Sequence, residues 1–176
     1  MRKVKLYIAM SWDGYIADAN GGIDFLHEYD DSVDREGTYD DFMKDIDTVL
    51  LGWTTYYQLV TELSSNQWMY EDCQSYVFTH RQQGSTDNII FTDASVKQIV
   101  DQLRRVEGKD IWVCGGTEIV QQALEADLID EFYISVIPKI LGEGIRLFKH
   151  LTTEHALQLT DTVTTGDIVE LRYTRK

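Results

Sequence analysis

The chain is predicted to fold as one α/β domain over residues 1–176: a mostly parallel twisted sheet, helices on both faces, and an antiparallel hairpin at the C-terminus. Three observations predict it. Short apolar runs alternate with stripes of helical period through most of the sequence, which implies parallel strands joined by right-handed crossovers. Two alternating runs flanking Thr164 to Asp167 close the chain as a hairpin. A single proline, and no repeat or Ser/Gly-rich linker, leave nothing to mark a domain boundary.

The elements follow in order. "KVKLYIAM" alternates and then fills with apolar residues, as a strand entering a core does. "TYDDFMKDI" is a short helix candidate, and "TVLLG" a buried strand. Tyr56, Leu59, Val60 and Leu63 recur at i, i+3, i+4, i+7 and define a helix with a buried stripe. "SYVFT" and "NIIF" are further buried strands, and Val96, Ile99, Val100 and Leu103 form a second helical stripe. "DEFYISVIP" is a strand, "KILGEGIRLF" a loop, and "HALQLTDTVTTGDIVELRYTR" the terminal hairpin.

Composition narrows the function classes. Sixteen Lys and Arg against thirty Asp and Glu give a formal charge of −14, which repels nucleic acid and anionic membrane surfaces. Much of the excess lies in "HEYDDSVDREGTYDDFMKDID", read as a solvated acidic surface. No apolar run reaches the length of a membrane span, and the first residues lack the apolar centre of a signal peptide, so a cytoplasmic protein is expected. Cys73 and Cys114 cannot build a disulfide framework. His27, His80, His150 and His155 form no metal-ligand pair, and Asp18, Asn20 and Asp24 lack the glycine and glutamate that would complete a calcium loop. No metal is expected. The usual dinucleotide fingerprint, the P-loop and the hydrolase elbow are also absent.

One junction carries chemistry. In "DIWVCGGTEIVQQALEAD" a buried strand runs into Gly115 and Gly116, and a helix starts immediately behind them. Such a corner aims free N–H groups and a positive dipole end at whatever sits above the strand, and glycines let that group approach the main chain. A phosphate suits it, although a glycine pair can also serve only to turn the chain. Thr117 is a candidate N-cap.

Taken together, "IAMSWDGYIAD", "GGIDFL", "TVLLGWTTYYQL", "YVFTHR", "IWVCGGTEIVQQAL" and "DEFYISVIPKILGEGIRLF" resemble the dihydrofolate reductase-like superfamily, and within it the family related to the reductase domain of riboflavin biosynthesis. The resemblance covers nearly the whole chain and implies the three-layer fold of that superfamily. It implies NADPH across the strand ends. Gly115, Gly116 and the backbone of Thr117, Glu118 and Ile119 would face the pyrophosphate, with the Glu118 carboxylate turned outward. Gly52, Trp53, Thr54 and Thr55 would form a second cofactor contact, with Trp53 standing where relatives often carry Arg. Thr79, His80 and Arg81 would meet the 2′-phosphate, Arg81 distinguishing NADPH from NADH.

At the substrate end the resemblance places Ala9 and Trp12 beside the nicotinamide, with Asp24, Phe25 and Leu26 around a bound heterocycle. Phe25 would stack on the ring where relatives carry Trp. Asp24 would meet an aminopyrimidine edge, and the proton for the reaction would come from Asp24 or from water. Tyr39 and Phe42 would face the same pocket or else pack in the core. Cys114 stands where riboflavin-pathway reductases carry an acid, and a thiol does not replace that acceptor. The implied reaction is hydride transfer from NADPH to a small heterocycle, similar to 5-amino-6-(5-phosphoribosylamino)uracil or to a pteridine, in a homodimer. Two rival readings stay open: a pterin- or nucleotide-binding protein of the same fold without turnover, suggested by Trp53 and Cys114, and a dimerising scaffold.

Overall fold

The computed structural model describes residues 1–27, 38–64 and 67–176. The acidic run over 28–37 lies outside the described residues. In chain order the elements are β1 (Val4–Ser11), β2 (Tyr15–Ala17), α1 (Asp24–His27), α2 (Thr38–Lys44), β3 (Ile46–Gly52), α3 (Trp53–Gln58), β4 (Gln74–Phe78), β5 (Ile89–Thr92), α4 (Val96–Leu103), β6 (Asp110–Gly115), α5 (Thr117–Glu125), β7 (Glu131–Ile137), β8 (Ile145–Arg146), β9 (Leu157–Thr165) and β10 (Ile168–Arg175).

Eight strands form one sheet in the order β5-β4-β3-β6-β1-β7-β10-β9. The first six of these run parallel, and β10 pairs antiparallel with both β7 and β9. The apolar runs are buried where a two-sided sheet requires it: Leu6, Leu50, Leu51 and Ile111 are fully enclosed, each contributing about 1.5–3 kcal/mol of apolar burial. Helices cover both faces. On one side α4 and α5 present Val96, Val100, Val120 and Ala123 to a core shared with Val4, Leu50 and Val113. On the other, Phe42 and Leu59 pack with Val49, Val77 and Trp112. Among the described residues no helix is long and apolar enough to cross a membrane.

Two expectations change. The stripe Tyr56–Leu63 is an α-helix only to Gln58, and Leu59–Leu63 widens into a π-helical turn closed by the Ser64 N–H donating to the Leu59 carbonyl at 2.8 Å. Of that stripe, Leu59 is buried while Leu63 is 41% exposed. Furthermore, "KILGEGIRLF" is not wholly loop, because Ile145 and Arg146 pair antiparallel with Ala17 and Tyr15. A two-residue strand is too short to show a period.

The β1–β2 turn is tied to the segment after β7 by Asp13. Its carboxylate accepts from Ser11 Oγ at 2.7 Å and from the N–H groups of Leu141 at 3.1 Å and Gly142 at 2.7 Å. Burial pushes this carboxyl up, but the three donors outweigh it and hold it at about 2. The opposite, N-terminal edge of the sheet is held by charge. Lys5 Nζ, 7% exposed, lies 2.9 Å from Asp110, 3.6 Å from Asp45 and 3.7 Å from Glu131.

Two predictions follow from these anchors. Because the folded pKa of Asp13 is depressed, its tie is intact above the unfolded value of about 4 and is lost as pH falls through about 2. The amide resonances of Leu141 and Gly142 are expected to titrate near that lower value, and not at all in Asp13→Asn; a midpoint near 4 would refute the tie. Lys5→Ala, which strands Asp110 and Glu131, is expected to cost about 2–3 kcal/mol in urea unfolding, and a loss below about 1 kcal/mol would show a solvated cluster.

Candidate functional site

Because β1, β3, β4, β5 and β6 are parallel, their C-terminal ends share one edge, and a cleft of about 850 Å³ opens there. Ile8 and Ala9 of β1, Gly52 of β3, Phe78 and Thr79 at the end of β4, Thr92 of β5, and Cys114 to Gly116 line it. The ends of β3, β5 and β6 lead into α3, α4 and α5, whose first residues line the same cleft or adjoin it. Ser95 caps α4 with its own side chain, accepting from the Gln98 N–H, while Gln98 answers to the Ser95 N–H. That capping box is a local pattern legible in "SVKQ".

The glycine corner is different. Gly115 adopts φ +134°, a conformation open mainly to glycine, and the Gly115–Gly116 peptide is cis. Gly116, not Thr117, is the N-cap of α5, and no side chain caps that helix. Thr117 is instead buried and donates its hydroxyl to the Arg146 carbonyl at 2.7 Å, because the β8 strand packs over it. The first N–H groups of α5 therefore face the cleft without a side-chain acceptor. A Cβ on Gly116 would stand 3.4 Å from Thr55 Oγ1, and one on Gly52 would stand 3.4 Å from Ile119 Cγ1, so the two strand–helix junctions lie against each other. Glu118 is exposed on the rim and ion-paired with Lys149.

Beside this corner Trp53 lines the cleft with Thr54, Thr55, Thr79 and His80. The Arg81 guanidinium lies 5.0 Å from the Trp53 ring centroid, and Phe91 and Tyr57 flank the same indole. Arg81, His80 and Gln82 line a second, open pocket of about 640 Å³ that shares Thr79, Thr92 and Asp93 with the cleft. The cofactor residues read from the sequence thus converge, apart from Arg81, which stands in the adjoining pocket.

The substrate residues do so only in part. Ala9, Leu26 and Cys114 line the cleft. Phe25 does not: it is buried against Ile137 and Ile168, leaving no face for stacking on a ligand. Tyr39 and Phe42 belong to the aromatic core, Tyr39 at 6.0 Å and Phe42 at 5.7 Å from Trp112. Trp12 is 68% exposed, and Asp24 is exposed on α1; neither lines the cleft. In their place stand Ile16, Ile23, Gln58, Leu59 and Leu63, which sequence periodicity assigned to core or left unassigned. Burial pushes the Cys114 thiol up to about 12, against the opposing hydrogen bond from Tyr70, whose hydroxyl is 3.8 Å away. It is neutral at physiological pH. Among the described residues no group of three or more His, Cys, Asp or Glu is placed to hold a metal ion.

Residues 2–171 match the family model described as the RibD C-terminal domain. The chain is 39% identical over 175 residues to the uncharacterized protein YwjB of Bacillus subtilis, covering 99% of this chain and 98% of that one. It is 29% identical over 182 residues to YyaP of the same organism, covering 98% and 94%. Among solved structures, a Shewanella sp. PV-4 protein provisionally named for riboflavin biosynthesis superposes with a TM-score of 0.80 at 25% identity, covering 99% of both chains. Dihydrofolate reductase from Enterococcus faecalis, solved with NADP(H), gives 0.65 at 15% identity over 99% of this chain and 96% of that one, a likeness of fold. A mostly parallel sheet with a terminal hairpin, a cleft at its strand ends and a match along nearly the whole sequence lead to one conclusion: the chain belongs to the RibD C-terminal domain family, a reductase-type family with the dihydrofolate reductase-like fold.

Proposed function

We propose that the chain is an NADPH-dependent reductase acting on a small heterocyclic substrate. One observation carries the reading: the uncapped start of α5, Gly115 and Gly116, and the Gly52–Thr55 junction meet at one point of the cleft. That arrangement fits a pyrophosphate, which needs N–H donors, a positive dipole end and close approach to the backbone. Thr54 and Thr55 add hydroxyls from the facing helix. His80 and Arg81 supply donors at the neighbouring pocket for a 2′-phosphate, and the Trp53 indole offers a flat face for the adenine.

Held by the Gly115–Gly116 corner and the Gly52–Thr55 junction, such a dinucleotide would supply a hydride for the carbon of a C=N or C=O bond, with water as the source of the balancing proton. The chain's own part is orientation and exclusion of water. Ala9 and Leu26 border the ring, and Cys114, kept protonated, adds no charge. The exposed Asp24 carboxylate is not positioned to donate the proton into the cleft. The same reading carries a cytoplasmic protein and a homodimer, the dimer supported by exposed Ile140 and Trp12 on adjoining segments joined by the Trp12 N–H to the Lys139 carbonyl.

Titration with NADPH, followed by quenching of tryptophan fluorescence, tests the cofactor. Gly116→Val is expected to weaken binding roughly tenfold or more, and an unchanged affinity would sink the pyrophosphate assignment. Arg81→Ala is expected to weaken NADPH by roughly 10- to 100-fold, the worth of a charged hydrogen bond, while leaving NADH nearly unchanged. NADPH binding with no oxidation across pteridines, flavins and aminopyrimidines would favour a binding protein instead. Sedimentation at micromolar protein is expected to show a dimer, and a monomer would remove that part.

A further inference from the structure

The aromatic side chains packed with Trp112 form a continuous line. Trp53 lines the cleft, and its ring centroid lies 5.6 Å from that of Tyr56, which lies 5.5 Å from Trp68. Tyr70 follows, 5.3 Å from Trp68 and 5.1 Å from Trp112. From Trp112 the line passes to Tyr7 at 6.5 Å, and from Tyr7 to Tyr133 at 6.0 Å. These are ordinary contact separations for aromatic rings. The line therefore joins the cleft to Tyr133, whose hydroxyl meets Glu131 at the N-terminal edge of the sheet. It touches the cleft lining a second time at Cys114, whose Sγ is 3.8 Å from the Tyr70 hydroxyl.

The order of ring types matters. Indoles at Trp53, Trp68 and Trp112 alternate with phenols, and the line ends on a phenol. An indole gives up an electron while keeping its proton, whereas an oxidised phenol is stable only once its O–H proton has left. Trp68 and Trp112 donate their Nε1–H groups to Ser75 Oγ and the Tyr7 carbonyl, both at 3.0 Å, neutral oxygens that stabilise a positive ring without deprotonating it. Burial pushes the phenols of Tyr70 and of Tyr39, which also touches Trp112, well above the ordinary value, so both keep their protons. Tyr133 differs. Its hydroxyl donates to Glu131 Oε2 at 3.0 Å, and Lys3 and Lys5, 2.6 and 3.7 Å from that carboxylate, keep it ionised against the cost of burial. The Arg172 guanidinium, 5.4 Å from the Tyr133 ring centroid, and these lysines disfavour a positive radical there. Oxidised Tyr133 is thus stable as the neutral radical, its proton on Glu131.

We propose that this line of rings is an electron path that drains oxidising equivalents from the cleft. A one-electron oxidant in the cleft, of the class of a photo-excited flavin, takes an electron from Trp53 and is reduced by one electron. The vacancy moves through Trp68 to Trp112, with Tyr56 and Tyr70 as bridges. An electron from Tyr133 fills it by way of Tyr7, and the Tyr133 phenolic proton passes to Glu131 Oε2. A small reductant in solution, such as ascorbate, then returns one electron and Glu131 returns the proton. The cleft is thereby spared oxidation of Trp53 and Cys114, and the damage is moved to a residue that can be repaired.

Pulse radiolysis of the full chain tests the path, with the azide radical as the oxidant that takes an electron from an indole and becomes azide. The parent carries Trp12→Phe and Tyr57→Phe, because Trp12 is 68% exposed off the line and Tyr57, 54% exposed, stacks on Trp53 as a side branch. Absorption of the indole radical is expected to decay into that of a tyrosyl radical at a rate independent of protein concentration. Tyr133→Phe, which removes one oxygen and keeps the ring, is expected to abolish most of the tyrosyl signal. Trp112→Phe and Glu131→Gln are each expected to slow its appearance at least about tenfold, with circular dichroism reporting that each variant is folded. A tyrosyl signal unchanged in yield and rate by Tyr133→Phe and Glu131→Gln, a transfer that scales with protein concentration, or no transfer in the parent would overturn the proposal. NADPH takes no part in the measurement, so such a failure leaves the reductase reading standing.

Discussion

The parallel pairing of β6 with both β1 and β3 is the constraint on which the rest of the molecule depends. Ile111 to Val113 register against Val4 to Leu6 on one side and against Thr48 to Leu50 on the other. β6 is therefore the centre of the sheet although it enters after β3, β4 and β5 have been laid down outward. Its last residues open into Gly115 and Gly116, so the glycine corner sits in the middle of the C-terminal edge. Parallel strands then bring the ends of β4 and β5 to the same edge. Ligands in open α/β sheets bind where the order of connection reverses, and here that point lies between β3 and β6.

The two edges of the sheet divide the work. The N-terminal edge is stapled by buried cations: Arg2 bonds to Thr48 Oγ1 and the Lys109 carbonyl, each at 2.6 Å, and pairs with Asp47, while Lys5 holds Asp110. Burial lowers the Lys5 pKa, but Asp110, Glu131 and Asp45 more than reverse it, so the amine stays charged. Removing one partner would leave buried charge uncompensated. The C-terminal edge gives up such ties. It keeps backbone N–H groups, hydroxyls and an apolar wall turned to a cleft, which leaves interaction energy for a ligand.

A formal net charge of −14 is compatible with the anionic cofactor proposed above. The repulsion is a long-range, screened field, whereas the donors at the α5 start and the Arg81 guanidinium act at contact distance. Glu118, the one acid in the first turn of α5, is taken up by Lys149 on the rim. Asp93 lines the second pocket with Arg81, so the pocket proposed for a 2′-phosphate also carries a carboxylate.

The sequence by itself determined what is local. Strand, turn and helix follow from residues within a few positions of one another, so the β6–Gly115–Gly116–α5 junction, the stripes of α4 and α5, and the hairpin with Gly166 at φ +58° were all legible. The tertiary structure alone decided which apolar residue faces a core and which faces the cleft. Phe25, Tyr39 and Phe42 turn inward because Ile137, Ile168, Trp112 and Tyr133 arrive from distant strands to receive them. Leu63 carries the same periodic signal as Leu59, yet the π-helical turn leaves it on the rim while its neighbour is buried. Thr117 likewise lost its capping role to a contact with Arg146, 29 residues away. Periodicity reports that a side chain is apolar and on one face of its helix; what that face meets is set by chain segments remote in sequence, through packing that no local spacing encodes.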